Sequence, residues 1–209
     1  MKINEIFYSI QGEGKWTGLP NIFIRTTGCN LRCEYCDTKY AYYQGKNMEI
    51  KEIEDKISKY PCKNICITGG EPLLQKDITE LITKLTTKKY SMLIETNGSK
   101  DIKKIKQFEP LIISLDIKCP SSKMHKKMKL KNIDLLTSRD QIKFIVKNEE
   151  DYIYAKKIIE KYQIDCTTYI QPVWGEKYQK FAEMIKKDGL KVRLGIQLHK
   201  VIWNNKKRV

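Results

Sequence analysis

The sequence has little of several features that would assign it to a simple class of protein. Its 209 residues include only two histidines and, among 40 basic residues, only five arginines. No apolar run approaches the roughly 20 residues that a membrane-spanning helix needs. The N-terminal segment contains the acidic Glu5 and lacks an apolar stretch followed by a small-residue cleavage site, so it does not read as a signal peptide. These absences predict a cytoplasmic protein with no membrane span.

The cysteines point to reduced thiols or to metal ligation. There are seven, an odd number, and a chain without an export signal is not expected to build a disulfide framework. The length suits one domain, covering residues 1–209, that buries a full core without disulfides. We therefore expect a single domain whose thiols are free for chemistry.

The formal charge of +15 raises the question of nucleic-acid binding. Most of the basic residues are lysines, whereas base readout and bidentate phosphate contacts favour arginine. The lysines are spread along segments such as "KKIKQ" and "AKKIIEKY", where apolar residues separate them as on the solvated face of an amphipathic helix. We therefore expect no direct nucleic-acid partner, although the surface would attract an anionic substrate.

Strand-like and helix-like segments alternate along the chain. The predicted strands are "NIFIRTT", "NICITGG", "SMLIETNG", "LIISLDIK", "DQIKFIV", "TTYIQPV" and "KVRLGIQ". The predicted helices are "NMEIKEIEDKISKY" with Asn47 as N-cap, "DITELITKLTTKK", "DIKKIKQF", "EEDYIYAKKIIEKYQ" and "EKYQKFAEMIKKDG" closed by Gly189. Such alternation predicts an α/β fold with a mostly parallel sheet. About six such strands are too few for a closed eight-stranded barrel, which leaves an incomplete TIM-like barrel or a doubly wound sheet.

Four motifs follow predicted strands directly. They are "GCNLRCEYCDT", "TGGEP", "ETNG" and "QPVWG". In both candidate architectures the active site lies at the carboxyl ends of the parallel strands. The motifs are therefore expected to meet at one edge of the sheet.

The first motif brings three cysteines, Cys29, Cys33 and Cys36, together without a fourth. Three thiolates can hold three irons of a 4Fe–4S cluster and leave the fourth iron open to a small molecule. The alternative is a zinc site whose fourth ligand comes from elsewhere in the chain. The candidates for that ligand are His125, His199, Cys119 and Cys166.

A second cysteine pair, Cys62 and Cys66, repeats part of this spacing but has no third thiol nearby. Cys66 falls inside an apolar strand, and Cys62 lies at the entry to it. Buried structural cysteines are the better interpretation of this pair.

The three-cysteine spacing and the "GGEP" at residues 69–72 resemble the signature of the radical S-adenosylmethionine (SAM) superfamily. The resemblance implies a partial-barrel core, a 4Fe–4S cluster held by the three cysteines, and SAM bound to the fourth iron through its amine and carboxylate. The two glycines of "GGEP" let the backbone approach a ligand closely, and Glu71 could accept a hydrogen bond from the methionine ammonium.

The chain resembles one family of this superfamily more closely, the 7-carboxy-7-deazaguanine synthases. The resemblance rests on "EIFYSIQGEGKWTGLPNIFIRTTGCNLRCEYCDT" and continues through "TGGEPLLQ", "ETNGS", "CPSSKM", "YIQP" and "QLHKVIW". It implies ring contraction of 6-carboxy-5,6,7,8-tetrahydropterin to 7-carboxy-7-deazaguanine with loss of ammonia, for queuosine- or archaeosine-type deazapurines. SAM would be regenerated in each turnover, and Mg²⁺ would be required.

The resemblance also implies roles for individual residues. The SAM-binding residues would be Tyr35, Cys36, Asp37, Gly70, Glu71, Ser114, Lys118, Gln171, Pro172, Val173 and Trp174. The pterin-binding residues would be Ile10, Gln11, Gly12, Arg25 and Thr68. Thr38 would give its hydroxyl oxygen to Mg²⁺, a cation that prefers hard oxygen ligands and retains waters.

Four residues are candidates for acid–base or substrate-orienting roles. Gln11 offers a donor and an acceptor, which suits an aminopyrimidinone edge. Glu13 could accept from that edge or merely close a turn, and His199 could act as an acid or base or be structural. Arg25 could bind a carboxylate through two hydrogen bonds. The chain ends in a basic tail, and the sequence leaves open whether Val209 reaches the substrate.

Two other functions compete with this interpretation. A glycyl-radical enzyme activase would share the cysteine spacing and the "GGEP" but gives no reason for "SIQGEG" or "QLHK". A non-catalytic iron–sulfur or zinc protein that binds RNA leaves the strand-end motifs unexplained. The synthase interpretation implies a pterin substrate, a one-electron donor such as flavodoxin or ferredoxin, and a homodimer.

Overall fold

The computed structural model describes residues 1–204 and 206. Within them, nine strands form one sheet in the order β3-β1-β2-β4-β5-β6-β7-β8-β9. The strands are β1 (Lys2–Ile10), β2 (Pro20–Thr26), β3 (Lys46–Asn47), β4 (Asn64–Gly69), β5 (Ser91–Thr96), β6 (Leu111–Lys118), β7 (Gln141–Val146), β8 (Thr167–Pro172) and β9 (Arg193–Leu194). All neighbouring pairs from β2 to β9 are parallel, whereas β1 is antiparallel to both β2 and β3. The sheet does not close, which confirms the predicted α/β fold with an incomplete barrel.

Among the described residues, five helices lie between strands, and a sixth follows the last strand. The first five are α1 (Ile50–Ile57), α2 (Ile78–Thr87), α3 (Lys103–Lys106), α4 (Glu149–Lys161) and α5 (Tyr178–Asp188), and α6 (Leu198–Trp203) comes after β9. On α2 the residues Ile78, Leu81, Ile82 and Leu85 recur at helical spacing, and all four are buried in the main hydrophobic core. Burial of one such side chain contributes about 1.5–3 kcal/mol, so these faces hold the helices on the sheet.

A second, smaller apolar cluster lies among the sheet residues. Its buried members are Phe23, Cys66 and Leu93, and Phe7 packs against it, stacked on Phe23 with 4.9 Å between the ring centroids. Cys66 is completely buried, as expected for a structural cysteine. Phe7 and Phe23 also line the cavity described below, so this cluster forms an apolar part of its wall.

Several predicted boundaries differ from the structure. Asn47 is not the N-cap of α1, because it pairs with Lys2 in the short strand β3. The helix instead begins after Glu49, whose backbone N–H donates to Glu52 Oε2 at 2.7 Å in a reciprocal capping box. Residues 46–47 pair with the edge of β1 as strand β3, so α1 begins later in the sequence than predicted.

The N-terminal strand β1 was not predicted, and its pairing shows why. A register shift between Ile3 and Glu5 breaks the regular alternation of apolar and polar residues that identifies a strand. At the other end, the predicted strand "KVRLGIQ" is reduced to the two residues of β9. The prediction for Gly189 is correct, since it ends α5 with φ of 62°.

Candidate active site

The four motifs meet at one cavity, as the strand directions predicted. It has a volume of about 640 Å³, within the range of small-molecule sites. It is lined by nearly all of the predicted site residues: Ile10, Gln11, Gly12, Glu13, Arg25, Cys29, Cys33, Tyr35, Cys36, Asp37, Thr38, Thr68, Gly70, Lys118, Gln171, Pro172, Val173, Trp174 and His199. Two predicted residues, Glu71 and Ser114, are not part of the lining.

The cysteine loop enters this cavity directly from β2. Gly28 has φ of 98°, a conformation that favours glycine, and its N–H donates to Ala41 O at 2.9 Å. Cys29, Cys33 and Cys36 all line the cavity as free thiols. Burial raises the pKa of the Cys29 and Cys33 thiols.

Gly70 lets the "GGEP" turn pack against the cysteine loop. Glu71 N donates to Gly28 O at 2.7 Å, and Gly70 N donates to Thr26 O at 3.2 Å. A Cβ atom on Gly70 would lie 2.1 Å from Gly28 O and 3.0 Å from Cys29 Cβ. Only glycine fits there, because backbone occupies the space that a side chain would need.

Glu71 does not point into the cavity, which differs from its predicted role as an acceptor for the methionine ammonium. The residue is fully buried, and burial raises the pKa of its carboxyl group. Its oxygens accept hydrogen bonds from Leu73 N at 3.0 Å, Thr96 Oγ1 at 2.8 Å and Asn97 N at 2.7 Å. Glu71 therefore joins the "GGEP" and "ETNG" motifs behind the cavity wall.

Ser114 is likewise fully buried, and its hydroxyl accepts a hydrogen bond from Gln141 Nε2 at 2.7 Å. Lys118, from the same strand β6, does line the cavity, and its Nζ lies 2.8 Å from Asp116 Oδ2. Burial would lower the pKa of Lys118, but the neighbouring Asp116 carboxylate and Cys33 raise it. The ammonium is therefore charged beside the cysteine loop.

A buried lysine that the sequence analysis missed organises one side of the cavity. Lys143 Nζ lies 2.8 Å from Glu13 Oε2, 3.2 Å from Asp116 Oδ1 and 3.9 Å from Glu95 Oε1. Burial lowers its pKa, but these three carboxylates outweigh burial and raise it. The available signal was a lone lysine within the apolar strand "QIKFIV", because a charge in such a strand requires partners.

Glu13 is held by Lys143 and by Gln197, whose Nε2 donates to Glu13 Oε1 at 2.8 Å. Burial opposes its ionisation, but Lys143, helped by the hydrogen bond from Gln197 and by the neighbouring His199, lowers the pKa of Glu13. Gln11 and Thr68 both donate hydrogen bonds to Glu95, a residue that the sequence analysis missed. Gln11 Nε2 lies 3.5 Å from Glu95 Oε1, and Thr68 Oγ1 lies 2.9 Å from Glu95 Oε2. Polar groups from β4, β5, β7, the loop after β1 and the segment before α6 therefore converge here.

Arg25 forms an ion pair with Glu5, its partner across β1 and β2, at 2.7 Å from Nε to Oε1. The same Glu5 oxygen accepts a hydrogen bond from the Tyr40 hydroxyl at 3.0 Å. The sequence analysis missed Glu5, since it did not recognise β1, and it missed Tyr40, which lies in a turn after the cysteine loop and outside the motifs. The Arg25 bond uses Nε, and the terminal nitrogens have no hydrogen bond to other residues within 1–204 and 206.

His199 lies on α6 and not at the end of a strand as expected. Its imidazole packs against Gly12, where an added Cβ atom would lie 2.0 Å from His199 Nδ1. Leu198 N donates to Gly12 O at 2.9 Å, which fixes the start of α6 beside the Gln11–Glu13 segment. This contact brings His199 to the same wall as Glu13.

The remaining predicted residues flank the cysteine loop and β8. Thr38 Oγ1 donates to Asp37 Oδ1 at 2.7 Å, and Lys200 Nζ lies 3.8 Å from Asp37 Oδ2. Gln171 Oε1 is buried without a hydrogen-bond partner in the described part of the chain. This oxygen lies against Gly195, where an added Cβ atom would be 2.2 Å from it. Val209 lies outside the described residues.

These residues fit the groups that the superfamily implies. Within residues 1–204 and 206, no group of three or more His, Cys, Asp or Glu side chains is arranged around a single metal-ion position. A 4Fe–4S cluster presents a separate iron to each thiolate and suits three sulfurs spread along a cavity wall. The close backbone at Gly70 and the charged Lys118 in the lining fit a polar cofactor beside it. No helix in the described ranges is long and apolar enough to cross a membrane.

Comparison with known proteins agrees with this geometry. The family profile of the radical SAM superfamily matches residues 23–187. The 7-carboxy-7-deazaguanine synthase of Thermoplasma acidophilum is 37% identical over 205 residues, covering 98% of both chains. The enzyme of the same name from Clostridium acetobutylicum is 40% identical over 216 residues, covering 99% of this chain and 98% of the relative.

The crystal structure of QueE from Escherichia coli shares the fold. It has a TM-score of 0.80 and 22% sequence identity, and the alignment covers 95% of this chain and 94% of that one. The full-length relatives favour the synthase interpretation over the activase and RNA-binding alternatives. From the cysteine loop, the open parallel sheet and these relatives together, we conclude that the chain belongs to the radical SAM superfamily and, within it, to the 7-carboxy-7-deazaguanine synthase family.

Proposed function

We propose that the protein converts 6-carboxy-5,6,7,8-tetrahydropterin into 7-carboxy-7-deazaguanine and ammonia, in the biosynthesis of 7-deazapurines such as queuosine or archaeosine. The observation that carries this proposal is that a single cavity is lined both by the three free cysteines and by Gln11, Glu13 and Arg25. A radical source and a polar pterin site must lie side by side for this reaction. Full-length relatives of that name support the same conclusion.

In this proposal Cys29, Cys33 and Cys36 would hold the 4Fe–4S cluster, and SAM would bind beside it in the same cavity. When bound, the two supply the 5′-deoxyadenosyl radical that takes a hydrogen from C6 of the pterin. SAM contacts come from the following residues: Tyr35, Cys36, Asp37, Gly70, Lys118, Gln171, Pro172, Val173 and Trp174. Glu71 and Ser114 do not contact SAM, because their polar atoms are already bonded to protein groups. They instead support the residues that line the cavity.

The pterin is oriented by side chains whose charge the protein fixes. Glu13 is ionised beside Lys143 and accepts from the donor edge of the pyrimidine ring, while Gln11 supplies a donor and an acceptor. Arg25 directs its terminal nitrogens to the substrate carboxylate, since Glu5 occupies only Nε. Ile10, Gly12 and Thr68 complete this wall, and Gly12 leaves room for His199.

Mg²⁺ binds at the Thr38 hydroxyl oxygen, with the substrate carboxylate and waters as further ligands. The Thr38 hydroxyl donates its proton to Asp37, so its lone pairs face other groups. This arrangement supplies a hard oxygen and a nearby negative charge, both of which favour a divalent cation.

The remaining proposals concern the protein in its cell. A one-electron donor such as flavodoxin or ferredoxin reduces the cluster, and the single domain works in the cytoplasm, where its seven thiols stay reduced. The protein forms a homodimer, the commonest oligomer. The exposed apolar side chains of Trp174, Ile196, Val201 and Ile202 are the surface that such an association would cover.

Anaerobic reconstitution tests this function directly. The protein is loaded with iron and sulfide, then given dithionite, SAM, Mg²⁺ and the carboxytetrahydropterin. We expect a product with the mass and absorbance of 7-carboxy-7-deazaguanine. Deoxyadenosine without that product would indicate a different radical substrate, such as that of an activase. Absence of a cluster, or salt-dependent RNA binding without SAM cleavage, would support the non-catalytic alternative.

Cysteine variants supply the matched control for this experiment. Cys29→Ala, Cys33→Ala and Cys36→Ala should each lose the cluster and all product formation. Cys62→Ala should keep both, because Cys62 is half-buried at the entry to β4 and does not line the cavity. Equal iron content in Cys29→Ala and Cys62→Ala would contradict the proposed ligation.

A further inference from the structure

Asn97, in the "ETNG" motif, lies in contact with the cysteine loop although the proposed function gives it no role. It directly follows β5 and is 8% exposed. Its Nδ2 lies 3.6 Å from Cys29 Sγ, within range of an N–H···S hydrogen bond. The Asn97 side chain therefore contacts one of the three thiols within the cavity lining.

The direction of the Asn97 amide is determined by its other hydrogen bonds. Asn97 Oδ1 accepts from Ser99 N at 3.0 Å and from Ser99 Oγ at 2.6 Å. A backbone N–H can only donate, so an oxygen and not an NH₂ group must face Ser99. The NH₂ group consequently points the other way, toward Cys29 Sγ and toward Asn30 Oδ1 at 3.3 Å.

The position of Asn97 is fixed by the buried carboxylate of Glu71. Asn97 N donates to Glu71 Oε2 at 2.7 Å, and the preceding Thr96 donates its hydroxyl to Glu71 Oε1. On the other side, Asn30 Nδ2 donates to Ser99 Oγ at 2.8 Å, which ties the cysteine loop to the same network. Every polar atom of the Asn97 amide thus has a partner, and the donor is held against the sulfur.

We propose that Asn97 is a positioning residue that donates a hydrogen bond to the Cys29 thiolate of the cluster and thereby raises the reduction potential of the cluster. The proposal rests on the proposed ligation of iron by Cys29, and it does not depend on the identity of the substrate. Reduction adds one electron, supplied by an external one-electron donor, and transfers no proton from Asn97. Part of the added negative charge resides on the sulfurs, where a donor stabilises the reduced form more than the oxidised form.

Two variants and one control test this role. Asn97→Ala removes the donor, and Asn97→Asp replaces it with an oxygen of the same size. Ser99→Ala breaks the network elsewhere but leaves the Asn97 NH₂ group facing the sulfur. The midpoint potential of each reconstituted protein is measured by titration with dithionite, followed by electron paramagnetic resonance. Iron content and thermal unfolding show whether each variant is folded and loaded.

We expect a more negative midpoint potential in both Asn97 variants, with the larger shift in Asn97→Asp. A hydrogen bond that favours the reduced cluster over the oxidised one by about tenfold would, when lost, lower the potential by about 59 mV for one electron, which is the upper end of the shift we expect. Ser99→Ala should stay near the wild-type value. Equal potentials in Asn97→Ala and the wild type would overturn the proposal, as would an equal shift in Ser99→Ala.

A measurement on the wild-type protein decides the question even if the Asn97 variants fail to hold iron. Labelling of asparagine side chains with ¹⁵N should give a nitrogen coupling to the reduced cluster, because Nδ2 donates to a ligand sulfur. Absence of that coupling would overturn the proposal. A wild-type protein that assembles no 4Fe–4S cluster would instead overturn the proposed function, so the two failures are distinguishable.

Discussion

Lys143 Nζ lies 2.8 Å from Glu13 Oε2, and the two residues are 130 positions apart in the sequence. The lysine side chain is only 3% exposed and also faces Asp116 and Glu95. One buried cation therefore compensates several carboxylates at the substrate side of the cavity. Removing it would leave those charges close together without a counterion.

Lys143→Met should destabilise the protein by about 3–5 kcal/mol, because it leaves buried carboxylates unpaired. Urea unfolding of the protein without cofactors measures this. The control is Lys147→Met, which breaks the exposed ion pair of Lys147 Nζ with Glu34 Oε1 at 3.2 Å. That change should cost at most about 1 kcal/mol. Similar losses in the two variants would contradict a structural role for the Lys143 network.

Glu13→Gln should change how stability depends on pH. Lys143 holds the pKa of folded Glu13 below its usual value of 4.5, so the ionised carboxylate stabilises the fold above that pH. This contribution is lost as the pH falls through the lower, folded-state pKa. The difference in Tm between wild type and Glu13→Gln should therefore be largest near neutral pH and shrink below about 4.5. Glu80→Gln, at an exposed position in the first turn of α2, should show a much smaller trend, because only the helix dipole stabilises its charge.

Gly70→Ala should prevent cluster loading. The added Cβ atom would lie 2.1 Å from Gly28 O and push the cysteine loop away from the "GGEP" turn. The control is Gly175→Ala, where φ is 95° but no atom lies within 4 Å of the new Cβ. It should cost only the strain of a left-handed residue, about 1–2 kcal/mol, and keep its iron. Normal iron content in Gly70→Ala would refute the close-approach explanation.

Gly12→Ala should impair turnover while leaving the cluster in place. Its Cβ atom would lie 2.0 Å from His199 Nδ1 and displace both the imidazole and the start of α6. A shift of about 1 Å at a substrate wall can lower kcat/KM on the order of 100-fold. Gly18→Ala, with φ of 89° and open space around its Cβ atom, is the control for backbone strain in the same region. Wild-type kcat/KM in Gly12→Ala would be inconsistent with this packing.

The fold and much of the cavity lining could be predicted from the sequence, but the partners of the lining residues could not. Gly189 ends α5, and "TGGEP" follows β4, because turn chemistry and strand ends are local properties. Glu71 shows why the partners of a residue could not be predicted from the sequence. A glutamate after two glycines reads as a ligand-binding residue, yet its carboxylate faces Thr96 and Asn97 from the next strand. The sequence of "GGEP" contains no information about that neighbour.

The sequence by itself determined the spacing of the three cysteines, the alternation of strands and helices, and the edge of the sheet at which the motifs meet. These follow from short-range chemistry and from the common direction of parallel strands. Only the tertiary structure decided which charges pair. The register of β6 and β7 sets Asp116 opposite Lys143, and that of β1 and β2 sets Glu5 opposite Arg25. Register depends on how whole strands pack on the core, so residues distant in the chain acquire their partners only in the folded protein.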